Sequence, residues 1–228
     1  MTKYKETGNE YGNLRMVVRE DGKHNLIGQD DELIGDVWFD YIAWSYDNKR
    51  FKIVSNFNYN MLDADGTLLS DEWFREIKWF DNLNYGMVRK EYEWNFLGDD
   101  GVLKSDIWFD EVGVYKYKDL QRVMRDGKYN YISDRTWKLI SENWFKYMYK
   151  FHDGFCVIKN GNKSEYNFMD ENGVILSKVW FDAADDFEGE LAKIKIGNKK
   201  GFVDRKGNVC EKIMKADKTG KIIKAIES

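Results

Sequence analysis

The dipeptide Trp-Phe recurs at Trp38-Phe39, Trp73-Phe74, Trp108-Phe109, Trp144-Phe145 and Trp180-Phe181, at intervals of 35, 35, 36 and 36 residues. An asparagine keeps step with it: Asn25, Asn60, Asn95, Asn130 and Asn167. It lies 13 residues before the Trp in four units and 14 before in the fourth, and Gly201 takes the sixth position of the series. Two markers in register over five units define a tandem array, in which a unit buries its apolar face only against its neighbours. Other positions then align. Seven residues before the marker stand Val18, Ile53, Val88, Val123 and Ile194; Ile158 stands nine before, which places a two-residue insertion in the turn 160–165. After the marker come apolar pairs: Leu26-Ile27, Met61-Leu62, Phe96-Leu97, Tyr131-Ile132, Phe168-Met169 and Phe202-Val203. A turn with Gly66, Gly101, Gly173 or Gly207 follows, then a second apolar pair such as Leu68-Leu69, then Ser70, Ser105, Ser141 or Ser177.

Each unit reads as a hairpin, a short third strand and a helical turn. Asp126-Gly127 between the β-prone runs 123–124 and 129–132 is a hairpin signal, because Gly accepts the positive φ of tight turns. After the serine, Trp73, Phe74, Ile77 and Phe80 are spaced by three and four, as on one face of a short helix, and Ser70 followed by Asp71 suits a helix N-terminus. The expected fold is therefore mainly β: tandem β-hairpin repeats with short helical turns, stacked as an open or superhelical solenoid. A five- or six-bladed propeller-like ring is the alternative. A 35-residue unit is short for a four-stranded blade of about 40–45 residues, which favours the solenoid. The expected divisions are an N-terminal cap at 1–13, repeats at 14–48, 49–83, 84–118, 119–154 and 155–190, and a sixth repeat with a C-terminal capping hairpin at 191–228.

Composition narrows the function classes. Lys plus Arg is 36 and Asp plus Glu is 40, a net charge of −4, which gives no basic footprint for a nucleic acid polymer. Proline is absent, so the turns rest on Gly, Asn, Asp and Ser. No apolar stretch follows the polar first residues as in a signal peptide, and no run approaches the ~18 residues of a membrane span. Cys156 and Cys210 have no metal-type spacing. A cytoplasmic, reducing compartment is expected.

Catalytic groups are needed once, whereas packing groups recur, so chemistry should break the repeat. His24 takes the aromatic position of Tyr59, Trp94 and Tyr129 and reads as packing. His152 lies in a surface turn. Cys156 and Cys210 align with core positions. Asp63-Ala64-Asp65-Gly66 lacks the further ligands of a calcium loop and reads as a turn. The residue after each Trp-Phe, Asp40, Arg75, Asp110, Lys146 or Asp182, swaps acid for base and reads as surface rather than as a general acid. No catalytic residue, metal site or cofactor is expected. Trp38, Trp73, Trp108, Trp144 and Trp180 read as structural core. Trp44 and Trp79, six residues after a Trp-Phe tryptophan, stand where later units carry Val114, Lys150 and Asp186. With Trp94 and the arginines Arg75, Arg89, Arg122 and Arg125 they are the candidate ligand-binding residues; capping of one end of the stack is the structural alternative for the two tryptophans.

These residues resemble the WG repeat of bacterial and phage proteins. Lys199-Lys200-Gly201-Phe202-Val203-Asp204-Arg205-Lys206-Gly207 keeps the family glycine, Trp94-Asn95-Phe96-Leu97 keeps the tryptophan, and Phe151-His152-Asp153-Gly154 and Phe187-Glu188-Gly189 match the later Phe and Gly. Asn replaces the family glycine in five of six units, as a residue that tolerates a left-handed backbone. The resemblance spans about residues 14–210. It implies a repeat fold and a binding or scaffold role and names no ligand; a full array with no out-of-register chemical group is read as a non-enzymatic binding module for a protein, a glycan or a small molecule. Its Asn and Trp-Phe version is associated with gut Bacteroidetes and their phages, and this raises two alternatives: sequestration of a small nucleotide signal, and binding of a glycan or cell wall.

Overall fold

The computed structural model describes residues 4–44, 50–80, 83–161 and 165–210. The described residues are all-β, arranged as six small antiparallel sheets. The first sheet holds β1 (Tyr4–Tyr11), β2 (Leu14–Arg19) and β3 (His24–Ile27); the second β4 (Tyr41–Trp44), β5 (Arg50–Ser55) and β6 (Asn58–Asp63); the third β7 (Glu76–Trp79), β8 (Tyr85–Lys90) and β9 (Glu93–Gly98). The fourth holds β10 (Glu111–Tyr117), β11 (Leu120–Arg125) and β12 (Lys128–Ser133); the fifth β13 (Tyr147–Met148), β14 (Phe155–Lys159) and β15 (Tyr166–Asp170); the sixth β16 (Ala183–Glu188), β17 (Leu191–Ile196), β18 (Lys199–Asp204) and β19 (Val209–Cys210). The chain divides into two compact units, Met1–Trp108 with the first three sheets and Phe109–Ser228 with the last three. The expected capping hairpin beyond residue 210 and the centre of the turn 160–165 lie outside the described residues.

The hairpins form where the turn chemistry places them. Asp126 and Gly127 take φ of 52° and 67° between β11 and β12, the doubly left-handed turn that matches strand twist. An aspartate after the Trp-Phe pair secures these turns: Asp40 accepts the Asn56 N–H at 2.6 Å, Asp110 the Asp126 N–H at 2.7 Å and Asp182 the Gly197 N–H at 2.5 Å. The Lys23 ammonium first, and then the Asn56 N–H, hold the Asp40 carboxyl below its usual range.

The helical turn is not formed, and no described residue is helical. The stretch after each Trp-Phe is instead the first strand of the next sheet: β7 pairs with β8 from Glu76↔Arg89 to Trp79↔Gly86. The spacing of three from Phe74 to Ile77 joins two elements, because Phe74 is bridged to Tyr59 before the strand begins and Ile77 lies within it. A helix there would also strip the next hairpin of its edge partner. The serine does cap a free amide, but in a turn: the Ser70, Ser105, Ser141 and Ser177 hydroxyls accept the N–H two residues on at 3.1–3.2 Å. The short third strand is reduced to isolated bridges, such as Leu62↔Leu68 and Leu97↔Leu103, except in the sixth sheet, where it is β19. The residue facing Asn25 is Val17 rather than Val18, and Val17 is fully buried.

The marker asparagines are not left-handed. None of Asn25, Asn60, Asn95, Asn130 and Asn167 has a positive φ, and all five are fully buried. Each amide donates to a backbone carbonyl ten or eleven residues on: Gly35 at 3.0 Å, Ser70 at 2.7 Å, and Ser105, Ser141 and Ser177 at 2.8 Å. Each amide oxygen accepts the next residue's N–H at 2.7–2.8 Å. The side chain thus ties the irregular return segment to the sheet and satisfies backbone groups that have no ladder partner.

Within each unit, consecutive sheets share a core. Met61 packs with Phe74, Ile77, Val88 and Leu97 toward the third sheet, while its neighbour Leu62 packs with Leu26, Phe39, Ile42 and Phe51 toward the first. Phe168 and Met169 divide in the same way in the second unit. The strands are covered on both faces, so their apolar residues come in adjacent pairs rather than alternating. Each Trp-Phe pair is split as well. The phenylalanines are at most 2% exposed, whereas Trp38, Trp73, Trp108, Trp144 and Trp180, expected as core, are only half-buried. Trp73 lies 6.4 Å from Phe39 of the preceding repeat, and Trp144 lies 6.4 Å from Phe109. The turn glycines complete the stacking. A Cβ on Gly101 would lie 1.7 Å from the Leu69 carbonyl oxygen, and one on Gly173 equally close to that of Ile140.

Candidate ligand-binding groove

The sequence-selected residues are divided between the two compact units. The backbone of Trp44 closes β4, and its side chain lies outside the described residues. Trp79 is half-buried against the core of the second and third sheets, with the Arg50 guanidinium 5.3 Å from its ring. It fills the space left by the missing side chain of Gly86, where a Cβ would lie 2.6 Å from Trp79 Cε3. Trp79 is therefore a packing residue. Arg75, Arg89 and Trp94 do come together in the first unit, but their charges are taken. Arg89 Nε lies 3.1 Å from Glu76 and Arg75 Nε 4.0 Å from Glu91, while Lys78 Nζ stands 4.4 Å from the Trp94 ring. Burial works to raise the Glu76 pKa, but Lys78 and Arg89 together hold it below the usual value. In the second unit Arg125 is exposed beside Asp126, at 3.8 Å. Of the seven candidates, Arg122 lines a cavity of the second unit.

That cavity is an open groove of about 930 Å³ in the second unit. Its walls are Arg122 on β11, the segment Tyr149-Lys150-Phe151-His152, Val157 on β14, Tyr166 on β15, and Ala183, Ala184, Asp185 and Asp186 on β16. The volume is near the top of the range for small-ligand sites, about 300–1,000 Å³.

The segment 149–152 is held firmly. Phe151 is 7% exposed, stacks on Tyr117 at 5.1 Å and meets Tyr131 edge-on at 5.0 Å. The Tyr149 N–H donates to the Val157 carbonyl at 2.9 Å, and the Tyr131 hydroxyl donates to the Tyr149 carbonyl at 3.0 Å. Burial first, with the neighbouring Cys156 second, pushes the Tyr131 phenol up to about 12, so it stays a donor across the physiological range. From this base the exposed Tyr149, Lys150 and His152 face outward. Lys150 Nζ rests 3.5 Å from the centre of the Tyr115 ring, and Arg122 Nη1 donates to the Met148 carbonyl at 3.4 Å.

The groove thus offers two cations, two carboxylates, two tyrosines and an imidazole. Arg122, Lys150, Asp185 and Asp186 form no ion pair with a described residue. Such a surface can bind through charge-assisted hydrogen bonds and ring contacts. Among the described residues there is no group of three or more metal-ligating side chains, and no helix long and apolar enough to cross a membrane. Cys156 is fully buried, and burial pushes its thiol well above the usual range, so it does not serve as a nucleophile. His24 packs edge-on to Tyr41 at 6.1 Å, with Nδ1 buried and unpartnered. His152, read as a surface turn residue, is exposed and belongs to the groove wall.

Tyr149, Tyr166 and Asp185 escape the sequence reading because they are far apart in sequence and are brought together by the packing of the fifth and sixth sheets. One signal did point here. Lys150 and Asp186 occupy the repeat position of Trp44 and Trp79, in later repeats.

No family model matches the chain, and no curated protein matches it. Among solved structures it is similar to Hsv2 of Kluyveromyces lactis with a replaced loop, at 10% identity and a TM-score of 0.34 over 73% of this chain and 62% of that one. It is similar to PorZ of Porphyromonas gingivalis at 10% identity and a TM-score of 0.34, over 90% of this chain and 31% of that one. It is also similar to the WD40 domain of SCAP from fission yeast, at 11% identity and a TM-score of 0.30 over 88% of this chain and 62% of that one. The chain therefore spans less than two thirds of each of these three. Likeness of this degree assigns neither a family nor a ligand.

Proposed function

We propose that this chain is a non-enzymatic binding module of the WG-repeat kind, working in the cytoplasm, whose ligand site is the groove of the second unit. The observation that supports this reading is the contrast between two classes of residue. The side chains that recur in every repeat are consumed in packing and turn closure. Three residues of the groove wall, Lys150, Asp185 and Asp186, break the pattern and form no ion pair with a described residue. Charges left free on a concave surface can pair with a ligand that enters it.

Native mass spectrometry tests the reading. The full chain is incubated with three panels: charged tripeptides, chito-oligosaccharides and cyclic dinucleotides. At least one panel should leave retained mass on the wild type, and the combined Lys150→Ala and Asp186→Ala variant should lose it. Retention that survives the double substitution would place the site elsewhere.

The nucleotide-sequestering alternative needs converging arginines. Arg75 and Arg89 are engaged with Glu91 and Glu76 in the first unit, and Arg122 is the groove's one arginine. The cyclic dinucleotide panel keeps that alternative open to test.

A further inference from the structure

The wall formed by β16 has a feature that bears on what the groove takes. Its pairing with β17 passes from Ala184↔Ile194 to Phe187↔Ala192, so Asp185 and Asp186 together oppose the single residue Lys193. This is a β-bulge. A bulge removes backbone groups from the ladder and re-aims the side chains it carries, and bulges recur beside binding sites. The same place in the fourth sheet is also bulged, between Val112 and Lys116, and there the opening is filled from within: the Gln121 side-chain amide donates to the Gly113 carbonyl and, at 3.3 Å, to that of Tyr115. The corresponding middle-strand residue of the sixth sheet is Ala192, 1% exposed, which has no polar group to offer. Unlike the bulge of the fourth sheet, the bulge that lines the groove has no side-chain plug among the described residues.

The charges are also sorted. Arg122 and Lys150 belong to the fourth and fifth sheets, while Asp185 and Asp186 belong to the sixth. A polyanion would gain from the two cations and be repelled by two adjacent carboxylates. A neutral glycan would desolvate all four charges without pairing any. A ligand with one positive and one negative group complements both walls.

We propose that the groove binds a short extended peptide carrying a basic and an acidic side chain. The basic group pairs with Asp185 and Asp186, the acidic group pairs with Lys150 and Arg122, and the peptide N–H groups turn to the unplugged bulge. This proposal rests on the groove reading given above.

The test uses acetyl-Lys-Gly-Asp-amide, whose capped termini leave only the side-chain charges. Controls are the norleucine and asparagine analogues, a cyclic dinucleotide and chitotetraose. Binding is followed by NMR on the full chain, through the His152 and Tyr166 ring signals and the amides of 183–186. The dipolar tripeptide should shift these signals, and each neutralised analogue should bind about tenfold more weakly, as for loss of one charge-assisted hydrogen bond. The Asp185→Asn and Asp186→Asn double variant, shown by its melting curve to be folded, should no longer distinguish lysine from norleucine. Shifts of the same signals by the dinucleotide or the glycan but not by the peptide would overturn the peptide proposal and leave the groove as the site. Shifts confined to the first unit, around Trp94, would overturn both. An equal affinity of the tripeptide and its neutral analogues would overturn the proposed charge pairing.

Discussion

The asparagine at Asn167 uses its whole hydrogen-bonding capacity. It donates to the Ser177 carbonyl at 2.8 Å and the Val179 carbonyl at 3.2 Å, and accepts the N–H groups of Phe168 at 2.8 Å and Ser177 at 3.2 Å. Removing it strands buried backbone groups at about 1–3 kcal/mol each. Asn167→Ala should therefore lose at least ~2 kcal/mol in urea unfolding. Asn167→Gly should lose as much or more, because the backbone there gains nothing from glycine; a neutral Asn167→Gly would restore the left-handed reading. Sequence alone ranks Asn with Gly as a turn residue, and the buried amide becomes visible only once its partners ten residues on are known. Tyr131 gives a second prediction at this scale. Its phenol titrates near 12 in the fold and about 10 when unfolded, so it contributes stability below pH 10 that is lost progressively as pH rises toward 12. Tyr131→Phe should remove that part of the alkaline loss in urea midpoints measured from pH 9 to 12.

At the scale of elements, the turn glycines fix how sheets approach. Gly101 has φ +74° and sits against the Leu69 carbonyl, whereas Gly12, at φ +62°, has nothing within 4 Å of the Cβ it lacks. Gly101→Ala should combine left-handed strain with a steric clash and cost more than ~3 kcal/mol; Gly12→Ala should cost about 1 kcal/mol, from strain alone. Thermal melts of the two variants compare the effects directly, and equal losses would mean that the contact with Leu69 is unimportant. The hairpins are legible in the sequence because residues such as Asp126-Gly127 specify a turn by local conformation. The strand after Trp-Phe is not, because Phe74 and Ile77 reproduce a helical spacing by chance across a bridge and a strand. Local capping chemistry adds to the ambiguity: a serine that accepts the N–H two residues on looks the same at a turn as at a helix start.

At the scale of the molecule, recurrence and exception divide the labour. Within each unit, residues that recur hold the stack together: Asn60 and its equivalents, the buried Phe of each pair, and half-buried Trp such as Trp73 and Trp144 that reach back to the preceding repeat. The repeat itself is legible because such residues must reappear wherever two sheets meet. The groove is not, because Arg122, Lys150, Tyr166 and Asp186 come from three sheets and are gathered by stacking alone. Lys150 and Asp186 are surface groups outside the cores, so replacing both with Ala should change stability by no more than about 0.5 kcal/mol each while binding is lost. Hydrogen exchange of the intact chain, with and without the panel compound it retains, tests the binding claim most directly. Protection should concentrate at 149–152 and 183–186. Protection confined to Met1–Trp108 would contradict the assignment of the site.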